Sequence, residues 1–240
     1  MGYRERLLGS YATTHSGYLE NLAWRRKRLP RFYRSYFLKH LPQNRSAPIL
    51  DVGCGPGDFL LFLQDLGYTD VRGIDLSEEQ VEIARRRGAR KVEVAEAIEY
   101  LRGHKGEFEL IAALDLLEHF PKERVLNFLE AAREALKEGG KLILTVPNMS
   151  SPFGTRIGFG DFTHESAFTP SSLSQVMRAA GFEVEGIYPC EPVIYGFKSA
   201  VRWAIWKVIE KLIRLYVAAE TGVLPGEVFT QVMYAVGRRG

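Results

Sequence analysis

The sequence predicts an α/β fold: a doubly wound, mostly parallel seven-stranded sheet, with an N-terminal helical lid and a helical insertion between strands 6 and 7. Three observations carry this reading. Short β-branched and leucine-rich runs alternate with amphipathic stretches of about 10–15 residues, the pattern of strands joined by crossover helices. The first run ends in a glycine-rich bend that opens a helix. The second ends in an acid about 20 residues further on. A chain of 240 residues accommodates one such domain with additions. The expected division is a lid or arm over 1–47 and the main domain over 48–240, with the insertion at about 196–222.

Residues 48–53 read as strand 1, a branched and leucine run closed by glycine. Residues 58–66 form a helix whose apolar positions include Phe59, Leu60, Phe62, Leu63 and Leu66. Strand 2 spans 71–74 and delivers Asp75. Ser77 is an N-cap with Glu78 and Glu79 in the first turn, and Gly88 stops that helix. Strand 3 is 92–95, a short helix covers 98–101, and strand 4 is 108–114. Pro121 is placed as first residue of a helix running to Lys137, ended by Gly139-Gly140. Strand 5 is 142–146. A helix over 171–180 is closed by Gly181. Strand 6 is 182–187 and strand 7 is 229–236. In such sheets ligands bind at the carboxyl ends of the strands, where strand order reverses, so the loops after strands 1 to 4 are the place to look for chemistry.

Hydrophobic residues make up 46% and charged residues 25%, so a sizeable core is expected. The net charge of +3 is too small to argue for nucleic acid, and no nucleic-acid partner is expected. Cys54 lies in the glycine bend, a poor place for a structural disulfide; with Cys190 it reads as a free thiol in a reducing compartment. The first ten residues carry charges inside their apolar patch and show no signal peptide. No uncharged run approaches the roughly 20 residues of a membrane-spanning helix. The expected location is cytoplasmic, with contact to the inner membrane face left open, as is a homodimer.

The run Asp51-Val52-Gly53-Cys54-Gly55-Pro56-Gly57-Asp58 follows a strand and opens a helix. Glycines there let the backbone turn tightly and approach a ligand. Asp75, at the end of the next strand, can accept hydrogen bonds from ribose hydroxyls. A nicotinamide site would need Gly-x-Gly-x-x-Gly; here the third glycine comes one residue early, and Phe59 and Leu60 stand where small residues belong.

That run, together with the strips 73–77, 115–120 and 136–140 and with Pro147-Asn148, resembles class I methyltransferases dependent on S-adenosylmethionine (SAM) over residues 48–190. The resemblance implies a Rossmann-like domain with SAM as cofactor. It implies that Gly53, Gly55 and Gly57 pass beneath the methionine and ribose, with Cys54 among them. Asp51 would orient the loop or meet the amino group through water. Asp75 would hold the ribose hydroxyls and Leu76 would pack on the adenine. Glu96, beside Ala97, would accept from the adenine amino group, although the family more often reads Gly-Asp-Ala where this chain has Ala95-Glu96-Ala97. Asp115 and Leu116 would line the methionine end. N-terminal segments of the family often cover the cofactor, which points to Tyr11 and His15 as contacts.

Methyl transfer is an in-line displacement, so the protein has to position a nucleophile and limit water; a hydroxyl nucleophile also gains from a general base. The strip Asp161-Phe162-Thr163-His164-Glu165 puts several titratable groups in one loop at the active edge. His164 is the first candidate base, oriented by Asp161 or Glu165; His119, after strand 4, is the second. The spacing of these residues requires no metal, and none is expected.

Two stretches remain. Residues 21–48 carry Arg25, Arg26, Lys27, Arg28, Arg31, Arg34, Lys39 and Arg45 with no acid, interleaved with aromatics such as Trp24 and Phe32. Residues 203–217 are amphipathic, with Lys207, Glu210, Lys211 and Arg214 on one face and Ile205, Ile209, Leu212, Ile213 and Tyr216 on the other. The apolar face would pack on the domain or a second subunit, or else the helix would lie at a membrane interface with Trp203 and Trp206 at headgroup level. The whole pattern is similar to bacterial methyltransferases associated with surface-polysaccharide synthesis, which implies a glycan or glycolipid hydroxyl as acceptor. The alternative is a quinone-like or phenolic small molecule. RNA methylation lacks an Asn-Pro-Pro-Tyr-like strip for a flipped base, and a non-catalytic SAM-binding subunit is the remaining reading.

Overall fold

The computed structural model describes residues 7, 11–14, 22–223, 226 and 228–240. Helices α1 (Tyr11–Thr14) and α2 (Leu22–Tyr36) precede the sheet. The chain then runs β1 (Ile49–Val52), α3 (Asp58–Asp65), β2 (Val71–Asp75), α4 (Glu78–Arg86), β3 (Lys91–Val94), α5 (Ala97–Gly103) and β4 (Phe108–Leu114). It continues through a 3-10 turn (Leu117–His119), α6 (Lys122–Ala135), β5 (Leu136–Pro147), α7 (Gly154–Gly158), α8 (Pro170–Ala179), β6 (Phe182–Pro189), α9 (Phe197–Thr221) and β7 (Val232–Arg239).

The sheet order is β3-β2-β1-β4-β5-β7-β6. The first five strands pair in parallel, and β7 runs antiparallel to both β5 and β6. Strand order therefore reverses between β1 and β4, which opens a crevice at their carboxyl ends. Helices α5, α6 and α8 bury Leu101, Phe128 and Met177 on one face of the sheet. Helices α2, α3 and α4 bury Tyr33, Leu63 and Val81 on the other. The aromatic half of the basic N-terminal segment thus belongs to the core. Arg25 on α2 pairs with Asp58 at the start of α3, at 2.7 Å.

Three sequence expectations need correction. The helix after β4 stops at Ala135, and Leu136 turns extended to begin β5. Gly139 and Gly140 form a bulge in that strand, between the pairs Phe108–Leu136 and Leu110–Lys141. Gly139 has φ +71°, and a Cβ on Gly140 would sit 2.8 Å from the Lys137 carbonyl oxygen, so both glycines serve the bulge. The last strand begins at Val232, three residues later than expected; the Asn148 amide holds the preceding stretch by donating to the carbonyls of Val228 (2.6 Å) and Thr230 (2.9 Å).

The third correction concerns α9: of the alternatives left open for its apolar face, packing on the domain does not hold, although Ile213 of that face is half-buried and Lys211 of the polar face is exposed. Lys207, Glu210 and Arg214 turn toward the body of the protein, while Ile205, Ile209, Leu212 and Tyr216 are exposed. The cause is Glu191, just after β6: it accepts from Lys207 Nζ at 2.5 Å and from the Trp203 indole at 3.0 Å. Among the described residues no helix is long and apolar enough to cross a membrane.

Candidate active site

The crevice holds a cavity of about 1260 Å³. That exceeds the roughly 300–1,000 Å³ usual for a single small ligand and leaves room for two. Its floor is the bend after β1. Gly53 and Gly55 take φ of +69° and +51°, a left-handed conformation that L side chains rarely adopt. A Cβ on Gly53 would fall 2.8 Å from Leu116 Cδ1, so the loop after β4 closes directly over the bare backbone. The Gly53 and Cys54 N–H groups both donate to the Ile74 carbonyl, which ties the bend to β2. Gly73 makes this tie close, since a Cβ there would meet Leu60 at 2.5 Å. Gly57 is in the same run but does not line the cavity. Its own Cβ position is 3.1 Å from Ala84 Cβ and 3.2 Å from Ala89 Cβ, so it lets α3 approach α4.

Asp75 grips the bend from the next strand. Its Oδ2 accepts from the Gly55 N–H at 2.9 Å and its Oδ1 from the Ser77 N–H at 2.8 Å. Burial raises its carboxyl above the ordinary value against the pull of these bonds. Leu76 beside it is 52% exposed, an apolar side chain on the cavity wall. Asp51 is buried beneath the floor; desolvation, then the charges of Asp75 and Asp58, push its carboxyl well above its usual value. Asp51, Asp58, Asp75 and Asp115 all line one cavity, and their carboxylates suit a ligand with a cationic end and hydroxyls to donate. Asp58 is balanced by Arg25 and by Arg87 at 2.6 Å.

Asp115 has φ +54°, the left-handed region again. Thr145 on β5 holds it there: the Asp115 N–H donates to Thr145 Oγ1 at 2.9 Å, and the Thr145 hydroxyl donates to Asp115 Oδ1 at 2.8 Å. Leu116 and Ala97 also line the cavity. Glu96 lines it too, but both its oxygens have protein partners. One caps α5 by accepting from the Glu99 N–H at 2.8 Å, and the other accepts from Arg124 at 2.5 Å.

Of the candidate bases, His119 lines the cavity, whereas His164 and Asp161 do not. His164 lies behind His119, ring centroids 4.7 Å apart, with its Nδ1 at the Gly158 carbonyl (3.0 Å). His119 Nδ1 lies 2.9 Å from Thr163 Oγ1, and the Thr163 hydroxyl donates to Asp161 Oδ1 at 2.6 Å. The Thr163 proton is committed to Asp161, so Nδ1 of His119 is the donor in that contact and Nε2 carries the lone pair. Burial alone would raise Asp161, but hydrogen bonds from Thr163 and Tyr11 hold its carboxyl down at about 2. Tyr11 on α1 donates to Asp161 Oδ2 at 2.6 Å and lines the cavity, so the N-terminal segment reaches over the site. His15 lies outside the described residues.

Glu118 is buried next to His119, and among the described residues its Oε2 finds no hydrogen-bond partner. Burial, then Asp115 and Asp161, push its carboxyl well above the ordinary range. Glu118, His119 and His164 bring one ligating atom each within 4.8 Å of one another. A cation there would take one nitrogen from each histidine and a Glu118 oxygen, and it would favour the ionised form of that carboxyl.

Sequence reasoning missed Thr145 and the role of Thr163, because a threonine gains meaning only from what it faces across the fold. It also missed that Ile157, Pro192, Arg202, Trp206 and Thr230, from four separate segments, line the same cavity.

A family model described as a methyltransferase domain matches residues 23–186. Among curated relatives, the ubiquinone biosynthesis O-methyltransferase of Thiobacillus denitrificans is 29% identical over 153 residues, 57% of this chain and 65% of that protein. The protein of the same name from Xanthomonas oryzae pv. oryzae is 36% identical over 157 residues, 59% of this chain and 64% of that one. The matches thus span slightly less than two thirds of these relatives' length. Among solved structures, a SAM-dependent methyltransferase from Archaeoglobus fulgidus superposes with a TM-score of 0.69 at 22% identity, covering 93% of this chain and 99% of the other. Haemonchus contortus phosphoethanolamine N-methyltransferase 2, in complex with S-adenosyl-L-methionine, gives 0.64 at 15% identity, covering 100% and 60%. At these identities the structural likeness speaks to the fold.

Proposed function

The chain belongs to the methyltransferase-domain family, and from that premise we propose that it transfers the methyl group of SAM to a hydroxyl of a quinone-like or phenolic small molecule. When bound, SAM supplies a methyl group activated on a sulfonium. The residues present fit it: a bare-backbone bend for close approach, Asp75 for two ribose hydroxyls, exposed Leu76 for the flat base, and Asp51 and Asp115 for the cationic end. Glu96 enters this reading as a cavity-lining helix cap bound to Arg124, each of whose oxygens can accept a further hydrogen bond.

Phe32, Ile157, Pro192 and Trp206 are among the residues that line the cavity, apolar surface against which an aromatic acceptor ring can pack. The names of the curated relatives support the same choice, and they support a quinone-like acceptor over the polysaccharide acceptor expected from the sequence. In this reading His119 takes the acceptor's proton at Nε2, Thr163 and Asp161 fix its tautomer, and Asp161 stabilises the imidazolium. The observation that carries the reading is this chain of hydrogen bonds, because it gives His119 one defined task and turns it toward the cavity wall.

The test is incubation with methyl-labelled SAM and three acceptor pools: catechol- and quinol-type phenols, soluble glycans, and lipid-linked glycans. Label in the phenolic pool, abolished by His119→Ala, is expected. Label confined to either glycan pool overturns the acceptor assignment.

A further inference from the structure

The inward turn of the polar face of α9 has a consequence on its other side. Val201, Ile205, Val208, Leu212 and Leu215 recur at alternating steps of four and three and are each 42–64% exposed. With Tyr216 they form one stripe of roughly 20 Å at about 1.5 Å per residue. Soluble surfaces seldom carry a continuous apolar stripe of this kind. Its borders are cationic: Lys198, Arg202 and Lys211 are exposed, whereas Glu210 is turned inward to Lys207 and Arg214, and the exposed acid of the helix is Glu220 at its far end.

We propose that this face of α9 docks flat on an anionic lipid surface, with the stripe in the interfacial region and Lys198, Arg202 and Lys211 on the headgroups. The chemistry favours lipid over a second copy of the chain. A two-fold contact is made by the same patch on both partners, so it would set this excess of cations against itself. Anionic headgroups supply the missing charge, and the apolar stripe needs no partner of matching shape. The helix lies along the surface, since it is not apolar enough to cross. Arg202 and Trp206 of the same helix line the cavity, so docking brings the part of the cavity wall that α9 supplies close to the lipid. A lipid-dissolved acceptor would enter there, and that last point alone rests on the proposed function.

Density-gradient flotation of the full chain with phosphatidylglycerol–phosphatidylcholine vesicles, without SAM or acceptor, tests the docking. The protein is expected to float with these vesicles, and less at high salt or with pure phosphatidylcholine. Val208→Asp with Leu212→Asp is expected to leave it at the bottom. Lys198→Gln with Lys211→Gln is expected to weaken binding to anionic vesicles by about 30-fold; this pair carries the test if the aspartate pair fails to fold. Wild-type protein that does not float overturns the proposal, as does a dimer in sedimentation that Leu212→Asp separates into monomers. The labelled-SAM assay with phenols on the same samples keeps the two readings apart: a protein that floats yet methylates no phenol leaves the docking standing and ends the acceptor assignment.

Discussion

Asp75→Asn tests the cofactor assignment most directly, because it changes one atom where both carboxylate oxygens are in use. Gly55 and Ser77 donate to them at 2.9 and 2.8 Å. Asparagine keeps one oxygen and presents an amide N–H₂ to the other donor. One charge-assisted bond is lost and two donors face each other in a half-buried site, a cost of about 1–3 kcal/mol to the fold. Burial already raises the carboxyl of Asp75. The stability it contributes is therefore present below the ordinary carboxylate value and lost as pH rises through the raised one. Asparagine carries no such loss at neutral pH, so the net destabilisation should fall toward the low end of that range. On the ligand side, two ribose hydroxyls lose a charged acceptor, about 1.5–3 kcal/mol of binding. SAM affinity should then drop roughly 10- to 150-fold. Titration calorimetry with SAM and its demethylated product, run beside thermal melts, measures both effects. Affinity within twofold of wild type, in a variant that still folds, would refute the assignment of Asp75 to the ribose.

Three further outcomes follow from the same geometry. Thr163→Val removes the hydroxyl between His119 and Asp161 at nearly constant shape, and kcat should fall about 10- to 100-fold with KM little changed, part of the 10²–10⁴-fold a general base supplies; unaltered kcat in steady-state assays would remove the relay from the mechanism. A cationic ligand should pull the raised carboxyl of Asp51 back down, so SAM binding should release protons at pH values between those of the free and the bound carboxyl, read across a pH series as a dependence of binding heat on buffer ionisation heat and absent in Asp51→Asn. Gly57→Ala should cost about 1–2 kcal/mol of stability through its φ of +79° and its contacts with Ala84 and Ala89, yet leave SAM affinity near wild type, because this glycine sits behind the cavity; melts and calorimetry together separate the two effects.

The fold was legible from residues whose meaning is local. Apolar periodicity set the alternation of strands and helices, and a glycine-rich bend followed by an acid marked the crevice, because backbone freedom and carboxylate chemistry act within a few residues of where they are written. Asp51, Gly53, Gly55, Asp75 and Asp115 therefore reached the cavity wall as expected. The roles of His119 and His164 were harder to read. Both histidines follow a strand in loops of similar composition, and the difference between them is a contact across 44 residues, from Thr163 to His119.

The amphipathic pattern of α9 likewise determined that it would have two unlike faces, but not which one would turn inward. That depended on Glu191, twelve residues before Trp203 and sixteen before Lys207, whose carboxylate draws the polar side to the body and leaves the apolar side outward. Sequence alone thus decided the elements, the cradle and the cofactor chemistry, since these rest on short-range sterics and on residue type. Tertiary structure alone decided which histidine meets the cavity, which threonines hold the acids, and which side of the last helix is bare, since those depend on hydrogen bonds and ion pairs between groups that approach one another only once the sheet has formed.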